Sequence, residues 1–352
     1  MKKTIIDKVF YIINLLVLIL LIFSYISPFI NPNVFWQISI LGLLFPILVV
    51  INIIFLFYWT IRLKKSFFAN LIILMIGLPY IARYIGKNIE IVDKKNYMTI
   101  KVMSYNIRMF NEYQWISEKN IKNNIIEFLN KENPDILCIQ EFYSKEKLEL
   151  LGLKYQHIGT KYKQNSSSIA IYSKYKQINK SKINIGTSNN TYIYSDIIIN
   201  QDTIRIYNIH LASNWFKESD YSFINNPSFE TSKLKSGILG IITRLKIAYK
   251  QRAKEVNIIQ KHMKESPYPI ILCGDFNDTP VSYAYQKLSK NLNDSFMFSG
   301  EKFGETYIGI PTLRIDYILH HPRIKSTNFR TYEEIVFSDH LPISSEILLP
   351  IP

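Results

Sequence analysis

The sequence predicts an α/β or α+β domain preceded by a small bundle of membrane helices. Three long apolar runs fill the first 85 residues, whereas the rest of the chain has the mixed polar and charged composition of a soluble domain. In that second part, short apolar strands alternate with only a few helical segments, which is typical of layered α/β or α+β architectures. A chain of 352 residues has room for one large domain and an accessory region.

The composition limits the possible partners and cofactors. A formal net charge of +14 fits an anionic partner such as nucleic acid or a phospholipid surface. Lys, Ile and Asn are abundant throughout the chain, so the excess of positive charge is also explained by a general bias in composition. Cys138 and Cys273 both lie in apolar runs that read as buried strands, so no disulfide framework is indicated. Because no zinc-type Cys/His spacing occurs, any metal would have oxygen ligands.

Two of the apolar runs, Val9–Ile26 and Val34–Ile61, are long enough to cross a bilayer, which requires about 20 residues. The third run, at 67–84, is shorter and contains Gly77 and Pro79. It either spans the membrane or lies in the interface. The sequence therefore predicts three, or alternatively two, transmembrane helices. A cleaved signal peptide is disfavoured because no small-residue cleavage site follows the first run.

The distribution of basic residues predicts the orientation of these helices. Lys2, Lys3 and Lys8 precede the first run, and Arg62, Lys64 and Lys65 follow the second. Because short cytoplasmic loops are enriched in Lys and Arg, both clusters should be cytoplasmic, in a multi-pass protein of the cytoplasmic membrane. If the third run spans, the following domain is extracytoplasmic, and if it only lies in the interface, the domain is cytoplasmic.

We predict three segments: an anchor at 1–85, a polar tether at 86–98 and a domain at 99–352. Strands are predicted in the domain at Ile100–Tyr105, Ile136–Ile139, Ile169–Tyr172, Tyr192–Ile199, Ile204–Ile209, Pro269–Leu272, Ile315–Leu319 and Ile343–Leu349. Helices are predicted at Ile116–Lys131 and Tyr249–Met263. The pattern between Asn214 and Lys246 is irregular, which indicates a surface insertion or a loop beside a functional site.

Polar side chains follow most of these strands at the point where each strand ends. They are Asn106, Glu141, His210, Asp275 with Asn277, Asp316, and Asp339 with His340. A sheet that delivers carboxylates, amides and imidazoles to one edge can hold a hard divalent cation and surround a phosphate with hydrogen-bond donors. Taken singly, each residue is more often a cap, a turn or a solvated strand end. Together they predict a phosphate-directed metal site.

This ordered series resembles the endonuclease/exonuclease/phosphatase superfamily over Thr99–Pro350. Its most specific elements are Gly-Asp-Phe-Asn at 274–277 and Ser-Asp-His at 338–340, the latter preceded by Arg-Ile-Asp-Tyr-Ile-Leu at 314–319. The resemblance implies a four-layered α/β sandwich, in which two sheets pack face to face with helices outside. It also implies hydrolysis of a phosphoester.

The resemblance implies a ligand set for the metal, which would be Mg²⁺ or Mn²⁺. Glu141 matches the principal ligand, and Asn106 and Asp339 match residues near the same cation. Mg²⁺ prefers octahedral oxygen coordination and keeps several waters, so one or two carboxylates are a reasonable protein contribution. Asn106, Asn277 and His210 match residues that contact the substrate.

The same resemblance implies the catalytic roles. Asp275 matches the carboxylate that deprotonates the attacking water, and Asn277 matches an amide that donates to the phosphate. Residues two apart on an extended segment face the same side, so both can address one phosphorus atom. His340 matches an imidazole on the scissile phosphate, and Asp316 matches the carboxylate that orients it. His210 matches a second phosphate-facing histidine.

The sequence thus predicts a membrane-anchored, metal-dependent phosphodiesterase that works by in-line attack of water. The substrate is either nucleic acid or a phospholipid headgroup, the latter through phospholipid-, sphingomyelin- or phosphoinositide-type chemistry. No added loop rich in Arg and aromatic residues supports nuclease activity specifically. A third interpretation is a binding protein that keeps the fold without turnover. No protein partner is indicated.

Overall fold

The computed structural model of the chain describes residues 5–89, 94–143, 148, 150–159, 168–186, 191–214, 216, 218–225, 231–310 and 312–351. Residues 5–84 form a helical region, and residues 97–351 form a domain built on two sheets, which we call the sheet domain. The boundary between them agrees with the change in composition along the sequence.

The helical region consists of one long helix and two bent helical pairs. Its helices are α1 (Ile5–Ile26), α2 (Pro32–Phe35), α3 (Gln37–Leu43), α4 (Phe45–Ile61), α5 (Ser66–Ile76) and α6 (Leu78–Ile81). Among the helices in the described part of the chain, α1 alone is long and apolar enough to cross a membrane. The number rises to as many as three if each bent pair, α3 with α4 and α5 with the segment 78–84, forms one span.

Proline explains where the bent pairs break. The predicted second helix, 34–61, is not continuous: α3 and α4 meet at an angle of 64°. Pro46 lies in the first turn of α4, where its ring and missing N–H prevent the preceding turn from continuing into it. Pro79 has the same position at the start of α6, and this second pair is bent by 51°.

Polar side chains join the helices at the end that holds the basic clusters. Arg62 forms an ion pair with the buried Asp7, at 2.8 Å. Asn14 and Asn70 exchange amide hydrogen bonds of 2.9 Å, and the indole N–H of Trp59 donates to Asn14 at 2.8 Å. Such bonds link α1, α4 and α5 into one bundle.

The sheet domain contains two mixed six-stranded sheets. The first has the order β11-β12-β1-β2-β4-β3 and the second has the order β5-β6-β7-β8-β10-β9. The strands are β1 (Tyr97–Asn106), β2 (Ile136–Phe142), β3 (Tyr155–Gly159), β4 (Ser168–Ser173), β5 (Gln177–Lys182), β6 (Tyr192–Ile199), β7 (Asp202–His210), β8 (Ile270–Asp275), β9 (Asn293–Asp294), β10 (Asp316–His320), β11 (Lys325–Thr331) and β12 (Ile343–Pro350).

Each sheet is antiparallel except at its centre. β1 and β2 run parallel in the first sheet, as β7 and β8 do in the second. The remaining helices are α7 (Ile121–Glu132), α8 (Glu218–Asn225), α9 (Thr231–Lys264), α10 (Tyr283–Leu288) and α11 (Ser295–Ser299). Parallel neighbours need long crossover connections, and the crossovers contain α7 in one sheet and α8 with α9 in the other.

The sheets pack face to face through a core of β-branched residues. Ile100, Val102 and Ile136 of the first sheet meet Ile206 and Ile271 of the second. α7 packs on the outer face of the first sheet, and α9 and α10 pack on the outer face of the second. The architecture is therefore the predicted α+β fold with two packed sheets and helices outside them. Cys138 and Cys273 are buried free thiols in the core between the sheets, as expected.

The prediction of an irregular segment at 214–246 was wrong from Thr231 onwards, because α9 begins there and continues to Lys264. The shorter helix α8 also lies in this segment. Glycines, serines and exposed lysines in the first half of α9 hide its helical period from sequence inspection. The strands β3, β5, β9 and β11 were missed because edge strands with one solvated face lack a continuous apolar run.

The segment after the helical region lies against the sheet domain. The backbone N–H groups of Gly86, Asn88 and Ile89 donate to the carbonyls of Lys302, Gly300 and Phe298 at 2.8–3.1 Å. A Cβ atom at Gly86 would lie 2.1 Å from the carbonyl oxygen of Gly300, so this close approach requires glycine. The described start of the predicted tether is thus fixed to the domain.

Candidate active site

The central parallel strands position the candidate site. Asn106 ends β1, Glu141 lies near the end of β2, and His210 and Asp275 end β7 and β8. Because carboxyl ends of parallel strands meet at one sheet edge, and the two sheets are stacked, these four side chains converge. Asp316 pairs with Asp275 across β8 and β10, so it comes to the same place from an antiparallel strand.

Gly274 allows β7 and β8 to approach closely just before the site. It has a φ of 147°, and a Cβ atom there would lie 2.0 Å from the carbonyl oxygen of Ile209. Only glycine tolerates this geometry. The register that it permits sets His210 beside Asp275. The backbone geometry therefore explains why the Gly-Asp-Phe-Asn motif begins with glycine.

Backbone strain is present at the site. Glu141 and Asn277 have φ values of 48° and 51°, in the left-handed region that costs non-glycine residues about 1–3 kcal/mol. Four consecutive residues after β1, Arg108–Asn111, also have positive φ values. Strain of this kind persists only where the surrounding structure enforces it, and it is common at functional sites.

Asp275 is the centre of the hydrogen-bond network. Its Oδ2 accepts from the Asn106 amide at 3.0 Å and from the Asn277 amide at 3.2 Å. Its Oδ1 accepts from the backbone N–H of Asn277 at 2.8 Å. The Asn106 amide also donates to Glu141 at 3.4 Å. Both asparagines therefore present polar groups around one buried carboxylate.

Two histidines face the same carboxylate. Nε2 of His340 lies 3.6 Å from Oδ2 of Asp275, and Nε2 of His210 lies 3.5 Å from the same atom. Nε2 of His210 is also 3.7 Å from Oε1 of Glu141. On its other side, Nδ1 of His340 is hydrogen-bonded to Oδ2 of Asp316 at 2.9 Å. Asp316 thus fixes the ring orientation, with Nε2 pointing to Asp275.

The protonation states follow from burial and from these contacts. Burial raises the pKa of the Asp275 carboxyl to about 6, and Asp316 adds to the rise while His340 opposes it. Burial disfavours the charged form of His340, but Asp316 and Asp275 outweigh it and raise the pKa of His340 well above its usual value. Burial, followed by repulsion from Asp339, raises the pKa of Glu141.

The site carries more acid than base. Five carboxylates, those of Glu141, Asp275, Asp278, Asp316 and Asp339, lie in or beside it, while the cationic groups near them are His340, Arg108 and Arg252. Nε of Arg108 is 3.4 Å from Oδ2 of Asp339. Asp275, Asp316 and His340 also offer ligand atoms that lie within 4.8 Å of one another. The donors are mainly oxygen atoms, which suit a hard divalent cation.

Several residues that support the site were not predicted from the sequence. The hydroxyl of Thr306 accepts from the backbone N–H groups of Ile315 and Asp316 at 3.0 and 3.1 Å. The ring of Tyr307 meets His340 edge-on, with 5.2 Å between the ring centroids. Neither belongs to a recognisable pattern, because the loop between α11 and β10 has no apolar period.

Two further supports were within reach of sequence reasoning. Ser338, from the Ser-Asp-His motif, donates to the backbone carbonyl of Asn106 at 2.8 Å and so joins that motif to the end of β1. Arg252 of α9 lies 3.1 Å from Asp278 and donates to the carbonyl of Ala212 at 2.8 Å. It ties the segment after β7 to the segment after β8.

The site residues line a cavity of about 230 Å³. Its polar side includes Glu141, Asp275, Asn277, Asp339 and His340, together with Arg252 and Asp278. Its apolar side consists of Leu43, Phe216, Tyr249, Tyr307, Ile310, Leu313 and Ile315. Five of the eight sequence-predicted residues therefore line one cavity, and His210 lies beside it, 3.5 Å from Asp275. Asn106 and Asp316 stand directly behind it, in contact with Asp275 and His340.

Comparison with known proteins gives matches to both regions. A profile described as the Endonuclease/Exonuclease/phosphatase family matches residues 103–340, which is more than half of the chain. A second profile, of a domain of unknown function, matches residues 7–84. No curated protein matches the chain.

Solved structures share the fold of the sheet domain. One is D. rerio TDP2 complexed with a single-strand DNA product, which is 14% identical, has a TM-score of 0.51, and covers 71% of this chain and 98% of its own. Another is an endonuclease/exonuclease/phosphatase family protein from Bacteroides thetaiotaomicron, 16% identical, with a TM-score of 0.51 and coverages of 73% and 100%. At such identities the likeness concerns the fold. From the family match and the convergent site, the chain belongs to the endonuclease/exonuclease/phosphatase family and is a hydrolase of phosphoester bonds.

Proposed function

We propose that the protein is a membrane-anchored phosphodiesterase that depends on a divalent metal ion, Mg²⁺ or Mn²⁺. The observation that carries the proposal is the meeting of Glu141, Asp275 and His340 at one cavity, with an excess of carboxylates over cationic groups. Family members generally use a divalent metal. A cation relieves the repulsion between Glu141 and Asp339, and a bound phosphate supplies acceptors for the donors around it.

We assign the metal to Glu141 and Asp339, with Asn106 beside them, in preference to the cluster of Asp275, Asp316 and His340. In that cluster, Nδ1 of His340 and Oδ2 of Asp316 are already hydrogen-bonded to each other at 2.9 Å. Glu141 and Asp339 both line the cavity. When bound there, the ion would supply charge neutralisation for the phosphate oxygens.

In the proposed reaction, the Asp275 carboxylate accepts the proton of the attacking water. Asn277 lines the cavity, and its amide, which donates to the Leu211 carbonyl at 3.1 Å and to Asp275 at 3.2 Å, exchanges one of these bonds for a bond to the phosphate. His340 donates from Nε2 to a phosphate oxygen, while Asp316 keeps Nδ1 protonated and steadies the imidazolium. His210 lies 3.5 Å from Asp275 and supports a second donor role on the phosphate.

Hydrolysis of a generic soluble diester tests this proposal. The full chain, purified in detergent and supplied with Mg²⁺, is expected to release 4-nitrophenolate from bis(4-nitrophenyl) phosphate. Asp275→Ala should abolish that release, whereas Asp202→Asn, at the exposed start of β7, should leave it unchanged. If no diester is hydrolysed, or if Asp275→Ala retains the activity, the proposal fails.

We further propose a division into three segments. Residues 1–85 anchor the protein in the membrane, residues 86–98 connect the anchor to the domain, and residues 99–352 form the hydrolase domain. α1 runs from the basic end of the helical region towards the sheet domain, α4 returns, and α5 with the segment 78–84 runs back to the domain. Arg62 meets Asp7 at one end, whereas Arg83 donates to the Pro280 carbonyl at the other, at 2.9 Å. Three spans therefore fit an extracytoplasmic domain.

Cysteine labelling tests this orientation, because Cys138 and Cys273 are buried and give little background. Lys302→Cys, on the exposed surface of the sheet domain, should react with a membrane-impermeant maleimide in intact cells. Lys65→Cys, between α4 and α5, should react only after the membrane is opened. Protection of both cysteines in intact cells would show that the domain is cytoplasmic.

A further inference from the structure

The helical region forms one wall of the catalytic cavity. Leu43, at the end of α3, lines the cavity together with Glu141, Asp275 and His340. Phe45 begins α4 only two residues later. Because one helical turn rises about 5.4 Å, the cavity wall and the start of this membrane helix lie within about one turn of each other.

Close backbone packing holds α3 against the loop that follows Asn277. A Cβ atom at Gly42 would lie 2.3 Å from the carbonyl oxygen of Val281 and 2.6 Å from Oγ of Ser27. Val281 is fully buried among residues of the helical region, including Phe45. The position of Leu43 in the cavity wall is therefore set by direct contact between the two regions.

Arg83 fixes the same loop from the end of the second bent pair. Its guanidinium donates to the Pro280 carbonyl and to Gln286 at 2.9 Å each. Its own carbonyl accepts from the buried Arg314 at 2.8 Å. These bonds place the cavity at the end of the helical region opposite its basic clusters, where membrane helices leave the bilayer.

An apolar and basic rim extends from this junction. α9 lies against α2, since Asn33 donates to the Lys250 carbonyl at 3.3 Å and Lys246 lies over the ring of Trp36 at 5.7 Å. On the same part of α9, the exposed fractions of Leu239 and Ile247 are 52% and 61%. We call Ile238, Leu239, Lys246 and Ile247 the α9 rim. Apolar side chains with lysines suit the boundary between acyl chains and anionic headgroups.

We propose that the enzyme takes its substrate from the membrane surface and that this substrate is the phosphodiester headgroup of a membrane phospholipid. The inference rests on the phosphodiesterase function proposed above. A phosphodiester at headgroup depth reaches a cavity bordered by Leu43 while its acyl chains stay in the bilayer. The cavity wall carries aromatic rings as well as Leu43, so the choice of a lipid over a nucleic acid rests on the position of Leu43 beside the start of α4.

The reaction is a balanced hydrolysis of one ester bond. The oxygen of water bonds to phosphorus, and the bond between phosphorus and one ester oxygen breaks. The proton taken by Asp275 balances the proton that the leaving alkoxide acquires. One phosphodiester and one water therefore give one phosphomonoester and one alcohol, without an oxidant or a second substrate.

The test compares three substrates with the full chain in lipid nanodiscs and Mg²⁺. They are phosphatidylcholine, phosphatidylethanolamine and phosphatidylglycerol in the nanodisc, a single-stranded DNA 20-mer, and bis(4-nitrophenyl) phosphate. We expect a phosphomonoester product from lipid, measured by ³¹P NMR, at a rate at least tenfold above cleavage of DNA at equal phosphodiester concentration. Cleavage of DNA and the soluble diester without lipid turnover would overturn the inference and leave the phosphodiesterase function standing. Failure with all three would instead reject that function.

Variants test the route by which lipid enters. Leu239→Glu combined with Ile247→Glu should lower the ratio of lipid to soluble-diester turnover at least fivefold, whereas Ile258→Glu, exposed on the distal half of α9, should leave the ratio unchanged. Leu43→Trp should lower kcat/KM for lipid more than tenfold, whereas Ile47→Trp, exposed on α4, should not. If lipid turnover is unchanged both in the α9 rim variant and in Leu43→Trp, the proposal that lipid enters at this junction is wrong.

Discussion

Two buried charged clusters lie on either side of the start of β10, and they are built differently. At the junction with the helical region, Arg314 pairs with Asp294 at 2.9 Å, and both are almost fully buried. Tyr285 donates to the same carboxylate at 2.8 Å. In the active site, which Asp316 enters only two residues after Arg314, carboxylates outnumber their cationic partners.

The comparison distinguishes buried charges that stabilise the fold from buried charges that serve the reaction. A buried charge is stable in a fold when a partner compensates its lost hydration, as Arg314 does for Asp294. In the active site, part of the lost hydration is compensated by ligands instead. The carboxylates bind a cation, and the hydrogen-bond donors bind a phosphate group. Removal of a charged group from the junction cluster should therefore lower the stability of the protein. Removal of a charged group from the active site should instead lower its activity.

The largest expected effect is on the rate of hydrolysis. Asp275→Asn should lower kcat about 10²- to 10⁴-fold, because the amide cannot accept the proton of water. The midpoint of thermal unfolding should stay the same or rise, since burial already disfavours the charged form of Asp275. Steady-state kinetics and a melting curve measure both, and a large loss of stability would contradict the division between the clusters.

The next effect is on folding. Arg314→Met should destabilise the protein by about 3–5 kcal/mol, because it leaves Asp294 charged and buried without its partner. The matched control is Arg330→Met, whose ion pair with Glu334 is more than half exposed and should matter by less than about 1 kcal/mol. Denaturant titration of the full chain in detergent measures the two losses, and equal losses would remove the distinction.

A smaller effect concerns the metal. Mg²⁺ at a hundred times its Kd should raise the free energy of unfolding by about 2.7 kcal/mol. Glu141→Gln should abolish this gain, because the proposed ligand loses its charge. Melting curves with Mg²⁺ and with EDTA give the difference. If Glu141→Gln keeps the full gain and Asp316→Asn loses it, the metal belongs to the cluster around His340.

The smallest effect comes from a titratable group outside both clusters. Burial, aided by Lys180, lowers the pKa of His157 to about 4, whereas the unfolded group titrates near 6.5. Between these values the unfolded chain binds more protons, so this contribution to stability is complete above pH 6.5 and is lost as the pH falls towards 4. His157→Gln should flatten that part of the stability profile, measured by melting between pH 4 and 7. An unchanged slope would show that other groups cause it.

The sequence was most informative where chemistry and strand periodicity coincide. Asp275 and Asn277 follow a recognisable apolar strand, and His340 belongs to the recognisable Ser-Asp-His motif, so both their type and their convergence could be predicted. The contacts of Thr306 and Tyr307 arise from a loop without a period, and its conformation depends on β10 and the Ser-Asp-His segment being in place. The bend between α3 and α4 was missed because hydropathy gives the length of an apolar run but carries no information on the direction of the helix axis.

The pairing of β1 with β12 has a consequence for the order of synthesis. β1 is the first strand to be made and β12 the last, yet they are neighbours over eight residue pairs from Tyr97 with Pro350 to Ser104 with Ile343. A nascent chain therefore cannot complete its first sheet until β12 has been synthesised, and His340 is made just before that strand. The active site is therefore completed only after the helical region and the central strands of both sheets have been synthesised.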